Sequence, residues 1–446
     1  MQAAHCVVIG AGLAGAAVAN RLAQRGWQVL VLDAARQPAQ GASALPAGLL
    51  APQVSPDDGV QSQISRCGVR ATLRQASQVL QQGIDWQHTG VLEHRVNGQT
   101  GLPGPWSAAP VMAPAMAPAI ARASREWSQA ATAAQLEAAH LPAQTAALWH
   151  QPAAWIKPAA LVKALLQHPN IRFEGDRRAE ALQRTDSQWS VVDARGQYMA
   201  LAPLVIITAA HGSPSLLAGV PGAAVPALQA LRGQVSWGRR QRAIGYGAQA
   251  EQSSLPPFPV NGLGSLIPAV PDGADLRWAL GASYERDEDE VTTSALQRAG
   301  RHRENLQRLR GLLPEAARVL ASQLAGSPGG SSGGAASNGV EPGLDLDSEQ
   351  AEAFVGIRCA SRDRLPLVGP VYATPTGQGR AQTVAPQPTA LDALQPVALD
   401  GLWLCTAMGS RGLTLAVLCA DLLAARLHGE PWPLERRLGL ALDTAR

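Results

Sequence analysis

The sequence predicts an α/β fold around a parallel sheet, and three stretches predict it. They are "CVVIGAGLAG" near the start, "PLVIITAAHGS" (203–213), and "DGLWLCTAMGSRGLTLAVLCADLLAARLHGE" (400–430). In each, an apolar run of strand length ends in small residues, the pattern of a parallel strand buried on both faces.

Cys6 to Ile9 is the first such strand. Gly10, Gly12 and Gly15 follow as G-x-G-x-x-G, with Ala11 inside the turn, and Leu13 to Arg25 reads as an amphipathic helix that Gly26 ends. Each glycine has a physical role. Gly10 permits the tight turn, Gly12 lets the backbone approach a pyrophosphate, and Gly15 lets helix and strand pack closely. The helix N-terminus offers unpaired N–H groups and a partial positive charge to the phosphates. "WQVLVLD" then supplies a second strand ending in Asp33, 18 residues past Gly15, near the spacing of an acid that holds ribose hydroxyls. Arg36 is a candidate partner for a 2′-phosphate, but Asp33 would repel one, which argues against NADP.

Such a loop serves a mobile nicotinamide or a resident flavin, and the C-terminal stretch decides between them. Leu402 to Met408 reads as a strand, Gly409 to Gly412 as a turn containing Ser410 and Arg411, and Leu413 to Leu427 as a long apolar helix. A nicotinamide dehydrogenase has no need of this return. In a two-domain flavoprotein the helix can aim its N-terminus at the flavin ring and stabilise negative charge on its reduced form. FAD is therefore the expected cofactor.

Composition narrows the remaining classes. A length of 446 residues allows about two or three domains with large cores. A formal charge of +3 is too small to announce a nucleic-acid binder by itself. Five cysteines without a C-x-x-C pair fit free thiols in a reducing cytoplasm. The nine histidines show no metal-ligand spacing, so no metal is expected. No apolar run reaches the length of a membrane span, and the N-terminal apolar run lacks the basic flank of a signal peptide.

Three stretches read as excursions from a packed core: 101–123 and 373–398, rich in proline and alanine, and the glycine- and serine-rich 326–343, a flexible loop. Between them, 276–284 reads as a strand. Gln297 to Leu313 reads as a helix with Leu306, Leu309, Leu312 and Leu313 toward the core and Arg298, Arg301, Arg303, Arg308 and Arg310 on a solvated face, with an RNA-backbone contact as the alternative.

The segment "FVGIRCASRDRLPLVGP" (354–370) fits G-x-R-x-x-[ST]-x-D-x-x-P-x-[IV]-G. This resembles the D-amino-acid and glycine oxidase superfamily of FAD enzymes. With "GASALPAGLLAP", "LRGQVS" and "AMGSRGLTLAVLCADLLAARLHGEP", the chain is most similar to the oxidoreductase domain of the tRNA 5-methylaminomethyl-2-thiouridine biosynthesis family. The resemblance implies a Rossmann-like FAD-binding domain of discontinuous segments, 1–90, 150–220 and 350–446. It also implies a smaller α+β substrate domain with an antiparallel sheet, 91–149 and 221–349. The implied reaction demodifies carboxymethylaminomethyl uridine at the tRNA wobble position. Hydride leaves the carbon between amine and carboxylate, and hydrolysis of the imine yields the aminomethyl base and glyoxylate.

Two positions depart from the family pattern. Its Ser-Gly-Asn turn reads Ser43-Ala44-Leu45, and an aromatic common in the family is replaced by Ser265 or Leu266 in "VNGLGSLIPAV". Family members of the bifunctional kind carry a methyltransferase domain ahead of the FAD domain, whereas the fingerprint here starts at residue 10. The expectation is a separate methyltransferase acting downstream, or a pathway that stops at the amine.

Flavin-dependent amine oxidation needs positioning more than acid–base machinery. A substrate carboxylate calls for an arginine fork. Arg358 matches the family's carboxylate-binding position, with a structural salt bridge to Asp363 as the alternative. Arg411, in the glycine turn, is a second candidate, and Tyr284 a third that would orient substrate. Ser43 and Gly48 are expected in the loop under the flavin, with Gly409, Ser410, Gly412 and Leu413 at its edge. A free amino-acid or sarcosine-like amine oxidase, and a flavin-binding protein without turnover, stay open as alternatives.

Overall fold

The computed structural model describes residues 5–99, 101–103, 126–240, 255–324, 351–374 and 397–446. The predicted loop 326–343 lies outside the described residues, as do 104–123 and 375–396 of the two other excursions. The chain divides into two compact units. Unit 1 is Met1–Ser43, Ala159–Ala230 and Arg358–Arg446; unit 2 is Ala44–Pro158 and Leu231–Ile357.

Unit 1 is built on a six-stranded sheet in the order Leu367–Tyr372, Ala398–Thr406, Leu204–Ile207, His5–Ile9, Gln28–Leu32, Ile171–Glu174. The last five run parallel and Leu367–Tyr372 is antiparallel at the edge. Val8 sits opposite both Ile206 and Val31, so the three predicted strand stretches share one sheet. Its central strands read as unbroken apolar runs because both faces are covered. On one face lies an antiparallel meander, Ala181–Thr185, Gln188–Val192 and Tyr198–Ala202. Leu182, Trp189 and Val191 of that meander pack with Val7, Ile9, Val205, Ile207 and Leu404. The helices Leu13–Ala23 and Gly412–His428 pack on each other and on the sheet. Gly412–His428 is buried along nearly its whole length, which explains its apolar sequence all round.

Unit 2 is built on a mostly antiparallel sheet whose central strands are Leu228–Arg239, Asp275–Gly281, Gly264–Asp272, Val260–Gly262, Val91–His94 and Ala147–His150. Helices Ala295–Leu312 and Pro314–Leu324 cover one face. The predicted leucines Leu306, Leu309, Leu312 and Leu313 are buried there against Leu92, Trp149, Leu266, Trp278 and Leu280. A capping box starts Ala295–Leu312: the Gln297 N–H donates to Ser294 Oγ (3.2 Å) and the Ser294 N–H to Gln297 Oε1 (2.8 Å). On the wet side, Arg301 and Arg308 pair with Glu304.

The division runs elsewhere than expected at four places: 44–90, 150–158 and 350–357 belong to unit 2, and 221–230 to unit 1. The reason for the first two is a small sheet in which Gly48–Leu50 and Trp86–His88 both pair with Ala154–Ile156. Among the described residues no helix is long and apolar enough to cross a membrane, and no cluster of His, Cys, Asp or Glu could hold a metal ion. None of the five cysteines is in a disulfide, and all but Cys67 are buried.

Candidate active site

The glycine loop of unit 1 is closed on itself by contacts that only glycine allows. Gly10 has φ +109°, and a Cβ there would lie 2.7 Å from the Thr208 carbonyl oxygen. A Cβ on Gly15 would lie 1.8 Å from the Gly10 carbonyl oxygen. Gly12 is different: its φ is −81°, and an added Cβ would meet only Ser43 Oγ at 3.3 Å. Gly10 and Gly15 are thus demanded by packing, while nothing in the fold itself demands Gly12.

Thr208, just past the strand Leu204–Ile207, was not singled out from the sequence. Its hydroxyl lies 2.8 and 2.9 Å from the Ile9 and Gly10 carbonyl oxygens, where it props the turn. Only its partners, about two hundred residues away, reveal this role.

Asp33 ends its strand as predicted, and both its oxygens are engaged by backbone. The Ala11 N–H donates to Oδ2 (2.6 Å) and the Ala35 N–H to Oδ1 (2.8 Å). A carboxylate has about four acceptor directions, so two remain for ribose hydroxyls. Ser43, expected under the flavin, stands at the start of Leu13–Ala23, where its Oγ accepts the Leu13 N–H at 3.1 Å. A hydroxyl 30 residues away fills the capping role that Gly12 lacks.

The second turn lies at the end of Ala398–Thr406. Ala407 and Gly409 take φ of +64° and +55°. The Gly409 N–H donates to the Cys359 carbonyl (2.7 Å) and the Arg411 N–H to that of Met408 (3.0 Å). The helix starting at Gly412 has no side-chain cap and no acid in its first turn, and neither does Leu13–Ala23 have an acid there. The two helix starts are neighbours, since a Cβ on Gly412 would lie 3.2 Å from Leu13 Cδ1. Two positive helix ends therefore converge beyond the carboxyl ends of parallel strands, the place where open α/β sheets bind ligands.

Arg358 reaches the same turn: its Nη1 donates to Ser410 Oγ at 3.1 Å. The salt-bridge alternative does not describe Asp363, which pairs with Arg446 and accepts from Ser361 and Leu365. Burial alone would raise Asp363. The Arg446 guanidinium, the Ser361 hydroxyl and the Leu365 N–H outweigh it and hold the carboxyl at about 2. Arg411 is half-buried, and burial, with Arg364 nearby, pushes its guanidinium below the ordinary value. Arginines 358, 364 and 411 thus give this end of unit 1 a local positive field suited to a carboxylate.

Tyr284 and Gly48 lie in unit 2. The strand expected over 276–284 stops at Gly281, where the ladder shifts so that Ser283 exchanges bonds with Gln234. Tyr284 is consequently in the following loop, 53% exposed, with the Arg308 guanidinium 5.7 Å from its ring centre. Gly48 opens the buried strand Gly48–Leu50.

Unit 2 also holds an array that the sequence did not announce. Ser128 Oγ is 2.8 Å from His150 Nδ1, and His150 Nε2 is 2.8 Å from Glu93 Oε2. Burial would raise Glu93, but His150 and Arg95 outweigh it and hold the carboxyl below its usual range. The order imitates a hydrolase triad, yet Ser128 is 1% and His150 0% exposed, so no substrate reaches the hydroxyl. The array ties three adjacent strands together.

Comparison with known proteins agrees with this geometry. The model of the FAD dependent oxidoreductase family (DAO) matches residues 5–426. The tRNA 5-methylaminomethyl-2-thiouridine biosynthesis bifunctional protein MnmC of Polaromonas sp. is 45% identical over 446 residues, covering 99% of this chain and 59% of that protein. Its counterpart in Polaromonas naphthalenivorans is 44% identical over 98% of this chain and 59% of that protein. The chain therefore spans about three-fifths of the length of the curated relatives it matches. Among solved structures, glycine oxidase from Geobacillus kaustophilus superposes with a TM-score of 0.61 at 17% identity, over 96% of this chain and 95% of that one, a likeness of fold. With a glycine loop, an acid-ended second strand and a returning C-terminal helix on one parallel sheet, and a family model matched over 5–426, the chain belongs to the FAD-dependent oxidoreductases.

Proposed function

We propose that this oxidoreductase removes the carboxymethyl group from carboxymethylaminomethyl-(2-thio)uridine at the wobble position of tRNA, leaving the aminomethyl base and glyoxylate. The observation that carries the reading is the convergence of two acid-free helix starts with Arg358 at one turn. The family supplies the redox chemistry, and the identity to the MnmC proteins points to the wobble base.

The residues fit FAD. The cradle at Gly10, Gly12 and Gly15 leaves Gly12 as the open approach for a pyrophosphate, with Asp33 free to accept from a ribose. Ala11, Ser43 and Leu13 support that loop, and Gly409, Ser410, Gly412 and Leu413 offer the second helix start. When bound, FAD accepts the hydride equivalent. The chain's own residues do the rest by positioning. Arg358 holds the substrate carboxylate, Ser410 Oγ fixes the guanidinium, and Arg411 adds charge that favours the anion. A tRNA substrate would put the reaction in the cytoplasm, and the aminomethyl product is the form a methyltransferase acts on next.

The test is anaerobic reduction of the bound flavin by tRNA carrying the modified uridine, with glyoxylate measured. Reduction and stoichiometric glyoxylate are expected. No reduction by that tRNA, with rapid reduction by sarcosine or glycine, would transfer the protein to small-amine oxidation. A flavin reduced by neither would mark a protein without turnover.

A further inference from the structure

We infer that one face of the helix Val60–Val79 in unit 2 is a docking surface for a single-stranded segment of RNA, an inference that rests on the tRNA reading above. The helix carries Arg66, Arg70 and Arg74 and no acidic residue or lysine. Its formal charge is therefore +3. Spacing at i, i+4 and i+8 aligns the three arginines on one face, each step about 6 Å along the axis. The opposite face packs inward through Ile64, Gly68, Val69, Thr72 and Ala76.

The three side chains differ in their partners. Arg66 is clamped by Asp58 in a two-pronged pair at 2.6 and 2.8 Å, which anchors the head of the stripe. Arg70 and Arg74 are exposed, and no carboxylate among the described residues pairs with either. Elsewhere in unit 2, Arg232, Arg277 and Arg301 each meet a carboxylate and are held in ion pairs. The Arg70 guanidinium stands 5.2 Å from the ring centre of Trp127, which is half-exposed. A row of cations beside an aromatic face is the combination that tracks a phosphodiester backbone while a base stacks. An acidic peptide would use the cations and leave the indole idle, and an anionic membrane would call for several exposed apolar side chains beside them.

The experiment measures binding of an unmodified tRNA transcript to the FAD-loaded full chain across about 50 to 200 mM salt, where each phosphate contact contributes about 0.7–0.9 to the log–log slope. Arg70→Gln with Arg74→Gln should lower the slope by about 1.5, which is roughly a tenfold smaller loss of affinity over that range. Arg70→Lys with Arg74→Lys should retain the slope, because a point charge still neutralises a phosphate. Trp127→Ala should weaken binding roughly tenfold with the slope nearly unchanged. Unfolding midpoints check that the helix is intact in each variant. An unchanged slope in the glutamine pair, or no tRNA binding by the wild type at the lowest salt, would overturn the inference. So would loss of binding to phosphatidylserine vesicles or to an acidic peptide with tRNA affinity preserved. Flavin reduction is scored separately. A slope lost with the glutamine pair while no wobble amine is oxidised keeps the surface and sinks the substrate reading, and the converse result does the reverse.

Discussion

Gly12→Ala and Gly15→Ala should have opposite signatures, although both replace a glycine of one fingerprint. At Gly15 the new methyl would fall 1.8 Å from the Gly10 carbonyl oxygen and 2.7 Å from Thr208 Oγ1. The first obstacle is backbone in a closed turn, so helix and strand must separate. Overpacking costs about 1–3 kcal/mol, and a backbone clash belongs at the top of that range. At Gly12 the backbone is in an ordinary extended conformation, and the methyl meets only Ser43 Oγ at 3.3 Å. Alanine is a poorer N-cap than glycine by up to about 1 kcal/mol. It also restricts the unfolded chain, a gain of about 0.4–1 kcal/mol. These nearly cancel, so the cofactor-free stability of Gly12→Ala should stay within about 0.5 kcal/mol of wild type. Its affinity for FAD should nevertheless fall at least about tenfold, because the methyl stands where the pyrophosphate approaches. Urea unfolding of the apoprotein, paired with FAD titration, reads both quantities. Gly12→Ala binding FAD as tightly as wild type would refute the placement of the pyrophosphate. Gly12→Ala as unstable as Gly15→Ala would refute the packing argument.

Three further outcomes are expected. Arg358→Ala should retain FAD and lower kcat/KM about thirtyfold, the low end of 2–5 kcal/mol because the guanidinium is half-exposed, with Arg358→Lys only partly active; near-normal flavin reduction in the alanine variant would remove it from the site. A thiol reagent should label Cys67 quickly and the other four cysteines only on unfolding, since burial pushes Cys6 and Cys405 up to about 12 and raises Cys359 and Cys419 as well; fast labelling of two or more native thiols would contradict this. Asp363, held at about 2, contributes stability that is present above its unfolded value near 4 and is lost as pH falls through about 2; Asp363→Asn should therefore be less stable than wild type at pH 7 and approach it in strong acid, and an equal gap at both pH values would dismiss the pairing with Arg446.

Some of this protein was determined by the sequence alone. The strand–glycine–helix units at both ends, the buried leucine face of Ala295–Leu312 and the family resemblance were all legible there. Each depends on a local constraint, such as a positive φ, a missing Cβ or a period of 3.6 residues, and local constraints leave their mark in neighbouring letters. What only tertiary structure decided concerns partners remote in the chain. Thr208 props Gly10, Ser43 serves the helix after Gly12, Asp33 accepts from two backbone donors and keeps two acceptor directions, and Asp363 belongs to Arg446 rather than Arg358. Residues 44–90 join unit 2 through strand pairs with 154–156, and Tyr284 leaves its strand because Gln234 claims Ser283. Hydrogen-bond donors and carboxylates are interchangeable until distance selects among them, and that selection is made by how the sheets bring distant segments together.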